Sequence, residues 1–234
     1  MDAFERVLEA TRPVYDNAIG ANPIFPALLG GQITRNHYIA YLKETYHLVR
    51  HTSRALALVG ARLPDHRREL RGWFFHQSVD EHNHDLFCIN DLKALGEDPD
   101  VILDGMMMPG AWGMVTQIYY MAAFGNPAAT LGVAMATEGL GADLATRFAE
   151  LLERQYGYPL EATSFLRSHG ISDEKHIQEA RRAVNTMVEG QRELEEIIFA
   201  REMTLKYYGQ LFEDVLSVAP LDVPQSQSRV AERV

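Results

Sequence analysis

The chain has 234 residues, 47% of them hydrophobic, and a formal net charge of -10 at pH 7. This length suits one sizeable core and favours a single domain over two. The acidic balance, with four lysines, argues against nucleic acid as a partner, because phosphate-binding surfaces need clustered Lys and Arg. Cys88 is the only cysteine, which excludes an internal disulfide and a Cys-rich metal framework. The N-terminus does not resemble a signal peptide and no apolar run approaches a membrane span, so we expect a cytoplasmic protein without membrane contact.

Apolar residues recur at three- and four-residue spacing through nearly the whole chain, which predicts an all-α protein. Gly and Pro segments divide the pattern, with Thr34 as a plausible N-cap of the second helix and Ser172 as a cap of the last. The predicted helices cover about residues 2–18, 34 to beyond 57, 64–96, 110–124, 127–155, 160–168 and 172–216. Seven helices with short connections indicate a bundle, which we assign to one domain at 1–216 followed by a frayed tail at 217–234.

A cluster of chemically active side chains lies at the predicted start of the last helix. Asp173 and His176 are three residues apart and project from one helix face, and His169 in the preceding turn can fold back towards them. Mixed imidazole and carboxylate ligation suits Fe(II). The alternative is a polar helix start whose histidines and acids are simply solvated.

Glu81 and His84 form an E-x-x-H pair, the spacing that places a carboxylate and an imidazole on one helix face in di-iron bundles. The flanking segments 73–75 and 86–89 are strongly apolar, so we expect this helix to be mostly buried. Burial of Glu and His is costly without a compensating partner, and a metal ion is one such partner. An exposed charged face is the alternative interpretation.

Glu138 is the only acid in a long apolar stretch of small residues, where a lone charge needs a reason. Small neighbours such as Gly132 and Gly141 would let other helices approach closely enough to bring ligands together. The alternative is a carboxylate paired with Arg54 or Arg147. We favour a metal ligand.

Glu44 and His47 form a second E-x-x-H pair. Either Glu44 alone or Glu44 together with a histidine could face a metal, and the spacing leaves this open. His51, beside Arg50 and Arg54, is better explained as a surface or supporting residue.

Together these residues resemble the haem-oxygenase-like di-iron oxidases and oxygenases, relatives of the thiaminase-like and pyrroloquinoline-quinone-synthase helical folds. The resemblance covers about residues 23–188 and rests on the order of Glu, E-x-x-H, Glu and a closing H-x-x-x-D-x-x-H run. It implies a seven-helix haem-oxygenase-like bundle. The metal ligands that it implies are Glu44, Glu81, His84, Glu138, His169, Asp173 and His176.

The resemblance also implies an activity. Members bind two Fe(II) ions, react with O2 as co-substrate and oxidise a small molecule by cleavage, desaturation, decarboxylation or N-oxygenation. We expect a small-molecule, amino-acid-derived substrate, no catalytic residue beyond the metal ligands, a homodimer, and an external electron donor as a further partner. The chain departs from the para-aminobenzoate-forming branch, because Phe25 and Phe148 stand near the places where that branch has Tyr and Lys.

Three other classes of protein fit the sequence less well. A ferritin-like carboxylate protein fits poorly, because the two E-x-x-H pairs lie on adjacent helices with no room for the Glu-bearing helix that its symmetry requires. A metal-free thiaminase-like or pyrroloquinoline-quinone-synthase-like enzyme is the second; the thiaminase-like kind needs a nucleophilic cysteine, whereas Cys88 lies in an apolar run typical of an inert core thiol. A non-catalytic interaction module, the third, would take up no iron.

Overall fold

The structure of the protein is a computed structural model that describes residues 1–222. This part of the chain is helical and contains no β-strand, as predicted. The α-helices, numbered in chain order, are α1 (Ala3–Tyr15), α2 (Ile24–Leu29), α3 (Arg35–Arg62), α4 (Arg68–Asp80), α5 (Asp85–Ala94), α6 (Pro99–Ile102), α7 (Pro109–Ala123), α8 (Thr130–Leu140), α9 (Thr146–Tyr156), α10 (Ser164–Met187) and α11 (Gly190–Ser217). Two π-helical segments, Asp16–Gly20 and Gly141–Ala145, follow α1 and α8.

Helix ends follow the capping chemistry of the sequence. Thr34 caps α3 as predicted, and its backbone N–H donates to Nδ1 of His37 at 2.8 Å. Asp2 and Glu5 form a capping box at the start of α1, which satisfies two backbone N–H groups that have no partner within the helix. Gly157 ends α9 at φ 71°, a left-handed conformation that glycine adopts without steric cost.

The long helices α3 and α11 organise the bundle. Helix α3 packs against α4 and α7, while α11 packs against α7, α8 and α1. A Cβ atom at Gly132 would collide with the backbone carbonyl of Ile197, so α8 and α11 approach as closely as only glycine permits. The predicted close approach of other helices to this small-residue stretch is confirmed.

The predicted third helix, 64–96, is wrong in one respect. Helix α4 ends at Asp80, the turn 81–84 follows, and α5 begins at Asp85. Asn83 has φ 71°, a left-handed conformation for which asparagine is one of the better residues. Apolar periodicity continues through the break, so the sequence pattern does not reveal it.

The predicted boundary between helices 160–168 and 172–216 is also wrong. Residues 164–187 form one continuous helix, α10, and the break falls at residues 188 and 189, directly before Gly190, whose φ is 80°. Gly170 does not interrupt α10 because a neighbouring helix covers it: a Cβ there would collide with Thr146. Close packing therefore overrides the weak helix propensity of glycine.

The end of the described chain packs back on the bundle. The backbone carbonyl of Ala219 lies 2.9 Å from Nε2 of His37, and the N–H of Asp222 donates to the carbonyl of Gln32 at 2.7 Å. Most of the tail predicted at 217–234 lies outside the described residues. Among residues 1–222, no helix is long and apolar enough to cross a membrane.

Candidate metal centre

Side chains from the turn between α4 and α5, from α8 and from α10 converge at one point inside the bundle. Within the described residues, two groups of three potential ligands have atoms within 4.8 Å of one another. The first group is Glu81, His84 and His169, and the second is Glu81, Glu138 and His176. Glu81 belongs to both groups, so one carboxylate is common to the two.

The break between α4 and α5 positions the E-x-x-H pair. Glu81 is the C-cap of α4 and His84 precedes the first residue of α5, so both side chains project from a turn and not from a helix face. Oε2 of Glu81 lies 3.1 Å from Nδ1 of His84. The pair meets as predicted, although its backbone differs from the predicted one.

Helix α10 contributes two of these side chains, His169 and His176, and places Asp173 on the same face. His169, Asp173 and His176 follow each other at spacings of four and three residues, which places them on a single stripe. Nδ1 of His169 lies 2.8 Å from the backbone carbonyl of Phe165, and this contact assigns the ring proton to Nδ1. Nε2 of His169 is then the nitrogen that can bind a metal ion.

Glu138 on α8 faces the α10 stripe. Its Oε2 lies 3.3 Å from Nδ1 of His176, and its side chain is largely buried. The alternative pairing with Arg54 or Arg147 does not occur among the ion pairs of residues 1–222. Glu138 is therefore one of a cluster of acids and imidazoles, as the metal interpretation requires.

Asp173 is 3% exposed and lies close to two other carboxylates. Burial, with added repulsion from Glu138 and Glu81, raises its pKa to about 10. A Cβ atom at Gly141 would collide with Oδ2 of Asp173, so glycine is needed where the π-helical segment passes this side chain. The metal-free centre therefore holds Asp173 as a neutral carboxylic acid at pH 7.

The other ionisable groups respond to burial and to one another. Burial lowers the pKa of His169, which favours the neutral imidazole that binds metals. Contact with Glu138 raises the pKa of His176. Burial alone would raise the pKa of Glu81, but the neighbouring imidazoles, His84 foremost with His169 and His176, outweigh that effect and hold the pKa below its usual value. Three carboxylates this close cannot all be ionised without a cation between them.

Asp80 contacts His176, and the sequence pattern did not predict this contact. Its Oδ2 lies 3.6 Å from Nε2 of His176, on the side of the ring away from Glu138. Lys175 approaches the same carboxylate oxygen at 3.7 Å. The one available signal was its position directly before the E-x-x-H pair.

The structure places Glu44 apart from these groups. Glu44 is 1% exposed, and its carboxylate accepts the backbone N–H of Met108 at 2.8 Å. Asp214 accepts the N–H of Gly110 at 2.7 Å, so two buried acids hold the start of α7. Neither Glu44 nor His47 belongs to either candidate ligand group. This helix-capping role accounts for the burial of Glu44.

A long apolar cavity opens beside the cluster. The cavity volume that water molecules can occupy is about 190 Å³. This is room for roughly a dozen waters. Its wall follows α3 from Tyr38 to Leu56, and Glu81, Glu138 and Asp173 reach it from the other side. No lysine or arginine among residues 1–222 lines it.

Cys88 lies outside this cavity. It is fully buried, and burial raises the pKa of its thiol well above the ordinary value. A neutral, buried thiol is a poor nucleophile, so the structure gives no support to a cysteine-based mechanism.

The comparison with protein families agrees with this geometry. Residues 39–209 match the family described as "iron-containing redox enzyme", and the chain belongs to that family. A search of curated proteins found no match.

Solved structures show the same fold at low sequence identity. A domain of unknown function with a haem-oxygenase-like fold from Shewanella denitrificans has a TM-score of 0.81 at 20% identity, covering 98% of this chain and 94% of that one. A TenA homologue from Pseudomonas syringae has a TM-score of 0.78 at 13% identity, with 93% and 94% covered. Haem oxygenase-1 from Synechocystis, solved with haem, has a TM-score of 0.72 at 14% identity, with 93% of each chain covered. The predicted haem-oxygenase-like fold is confirmed.

Proposed function

We propose that the protein is a non-haem di-iron oxidase or oxygenase that uses O2 to oxidise a small molecule with an apolar chain. The observation that carries this proposal is the sharing of Glu81 between two three-residue ligand groups. A carboxylate reached by two sets of ligands is how a protein holds two ions side by side. Membership of an iron-containing redox family supports iron as the metal.

The donor set fits two iron ions. The proposed ligands are three imidazoles and three carboxylates, namely Glu81, His84, Glu138, His169, Asp173 and His176. This mixture suits Fe(II), whereas Mg²⁺ and Ca²⁺ prefer sites made of oxygen ligands alone. Nδ1 of His84 and Nδ1 of His176 are buried without a hydrogen-bond partner among the described residues, although carboxylate oxygens lie nearby. Nitrogen atoms in that situation are well placed to bind an ion.

Two bound Fe(II) ions would supply electrons that reduce O2, which the protein groups alone do not provide. The chain's own residues set the geometry. Glu81 would serve both ion positions, the Phe165 carbonyl fixes the ring of His169, and Asp80 faces the far side of His176. The apolar cavity keeps bulk water away from the reacting centre and accommodates the substrate.

The cavity favours a substrate with an apolar chain. Because no lysine or arginine lines it, an anionic end group finds its countercharge only at the metal centre. The polar side chains of many amino acids would be poorly solvated in this lining, so we propose an amino-acid-derived substrate only where its chain is apolar.

Haem binding is the alternative suggested by the Synechocystis neighbour. A haem needs one axial side chain facing a wide flat slot. Here the imidazoles and carboxylates lie within 4.8 Å of one another, which is the spacing of direct ion ligation. The ligand cluster therefore favours iron ions over haem.

Iron loading tests the proposal. We expect the protein to bind about two Fe(II) per chain under anaerobic conditions and to show a transient visible absorption after exposure to O2. Glu81→Gln should lose both ions, whereas His84→Ala should lose only the ion of its own group.

Glu44→Gln is the matched control, because the amide oxygen can still accept the N–H of Met108. It should keep both ions. One ion or none in the unaltered protein would refute the proposal, and loss of iron from Glu44→Gln would return Glu44 to the ligand set.

A further inference from the structure

The cavity extends past the metal centre along α4 and α8. On α4, Trp73 lines it eight residues before Glu81, and on α8 Thr130 lines it eight residues before Glu138. Eight residues of helix span about 12 Å. Trp73 and Thr130 both line the cavity and are separated from the two metal-facing carboxylates by the same rise along their helices.

These two polar groups lack protein partners. Nε1 of Trp73 and Oγ1 of Thr130 are buried, and no group among residues 1–222 forms a hydrogen bond with either. Thr130 is 1% exposed. Between them and the metal centre, Gln77 also lines the cavity, but its amide donates to Glu179 at 2.8 Å. Buried polar groups in folded proteins nearly always have partners, so the two orphaned groups indicate a ligand atom.

We infer that this end of the cavity is a binding subsite for a neutral oxygen function of the substrate. The indole N–H only donates, so the ligand atom is an acceptor, and the Thr130 hydroxyl can donate to it or accept from it. A charged group is disfavoured because no charged side chain lines this end. The substrate class is an apolar chain with a metal-facing end group and a hydroxyl, carbonyl or ether oxygen about 12 Å away. The metal-facing half of this description rests on the proposed function.

Indole NMR of the Zn(II)-loaded protein provides a direct test. The chain has two tryptophans, and Trp112 is 52% exposed and outside the cavity, so its indole signal serves as an internal control. The probes are decanoic acid and its ω-hydroxy analogue. The ω-hydroxy acid should move the Trp73 N–H resonance downfield, decanoic acid should not, and Trp112 should respond to neither.

Affinities of the same probes add a quantitative test. The ω-hydroxy acid should bind about fivefold to tenfold more tightly than decanoic acid, as one net hydrogen bond provides. Trp73→Phe and Thr130→Val, which remove the polar atoms and keep most of the volume, should each reduce that preference towards one. The matched controls Trp112→Phe and Thr116→Val, outside the cavity, should leave it unchanged.

Equal binding of the two probes, or a preference that survives both cavity substitutions, would overturn the inference. Failure of the proposed function is distinguishable, because it appears as a lack of metal uptake before any probe is added. Metal uptake of two ions per chain together with equal probe binding removes the subsite alone.

Discussion

Glu44 and Glu81 illustrate what residue patterns do and do not reveal. Each begins an E-x-x-H pair and each is buried, yet Glu81 lies in the ligand cluster while Glu44 accepts a backbone N–H at the start of α7. Both environments stabilise a buried carboxylate. The sequence therefore predicts which acids are buried. Only the tertiary structure shows which group compensates for the burial of each carboxylate.

Six of the seven predicted ligands lie close together in the structure. Glu81, His84 and Glu138 were predicted because they stand in or beside apolar segments. His169, Asp173 and His176 were predicted because their spacing places them on one helix face. Asp173 is close to the cluster without belonging to either group of three. Asp80 was missed because a carboxylate that contacts only the far side of a histidine ring leaves no spacing pattern of its own.

Asp173 should make the stability of the metal-free protein depend on pH. Its pKa is 3.8 in an unperturbed chain and about 10 in the folded protein. Because the folded pKa is the higher one, the contribution of Asp173 is fully present below about pH 3.8 and is lost as the pH rises towards 10. Urea unfolding of metal-free protein should show a free energy of unfolding that falls by at most about 1.4 kcal/mol per pH unit.

Asp173→Asn should flatten that slope, since the amide does not titrate. The exposed Asp104→Asn is the control and should leave the slope as it is. A slope unchanged by Asp173→Asn would show that another group is responsible.

At the scale of helices, the sequence predicted where helical segments lie better than where they break. The turn 81–84 interrupts an unbroken apolar pattern, and Gly170 continues a helix that local propensity would end. At Gly170 the deciding contact comes from Thr146 of α9, and such a contact is invisible in a local window of sequence.

The π-helical segment after α8 requires glycine at position 141, and this requirement can be tested. Gly141→Ala would push a Cβ into Oδ2 of Asp173, so we expect iron affinity to fall by about tenfold or more, as when other residues that support metal ligands are changed. Gly139→Ala is the matched control, because its Cβ would meet only Ile177 at 3.9 Å.

Gly139→Ala should bind iron normally and gain up to about 1 kcal/mol of stability from its better helix propensity. Titration with Fe(II) and thermal unfolding of both variants provide the measurements. Equal iron affinity in the two variants would contradict the role given to Gly141.

At the scale of the whole molecule, a buried ion pair connects distant segments of the bundle, at the end opposite the start of α7. Arg67, before α4, donates to both carboxylate oxygens of Glu193 on α11 at 2.9 and 3.0 Å, and to the carbonyl of Met187 at 2.8 Å. Arg67→Met should lower the free energy of unfolding by about 3–5 kcal/mol, because it leaves Glu193 buried without a countercharge.

Two further variants separate charge from packing. Arg67→Met combined with Glu193→Leu should recover much of the loss, since no unpaired charge remains. Arg71→Ala breaks an exposed pair with Asp65 and should cost less than about 1 kcal/mol. Denaturant unfolding measures all three, and an equal loss in Arg67→Met and Arg71→Ala would contradict the prediction.

The overall fold was predictable because the helical periodicity and the order of the candidate ligands along the chain both indicate it. The assignment of residues 1–216 to a single domain stays a prediction. Substrate identity was not predictable. The cavity is lined by residues from many helices, and no local segment carries its shape.

The π-helical segment Gly141–Ala145 also bears on how this cavity can change over generations. A π-helical turn contains one residue more than the α-helical turn it replaces. Deletion of one codon in this segment would restore an α-helical turn, and the residues after it would keep the faces they now present because only the extra residue is lost. Glu138 before the segment and Phe148 and Leu152 after it would keep their places, while the stretch that passes Asp173 and lines the cavity would change. A single-codon deletion here is thus a route to a reshaped cavity wall that leaves the ligand on α8 in position.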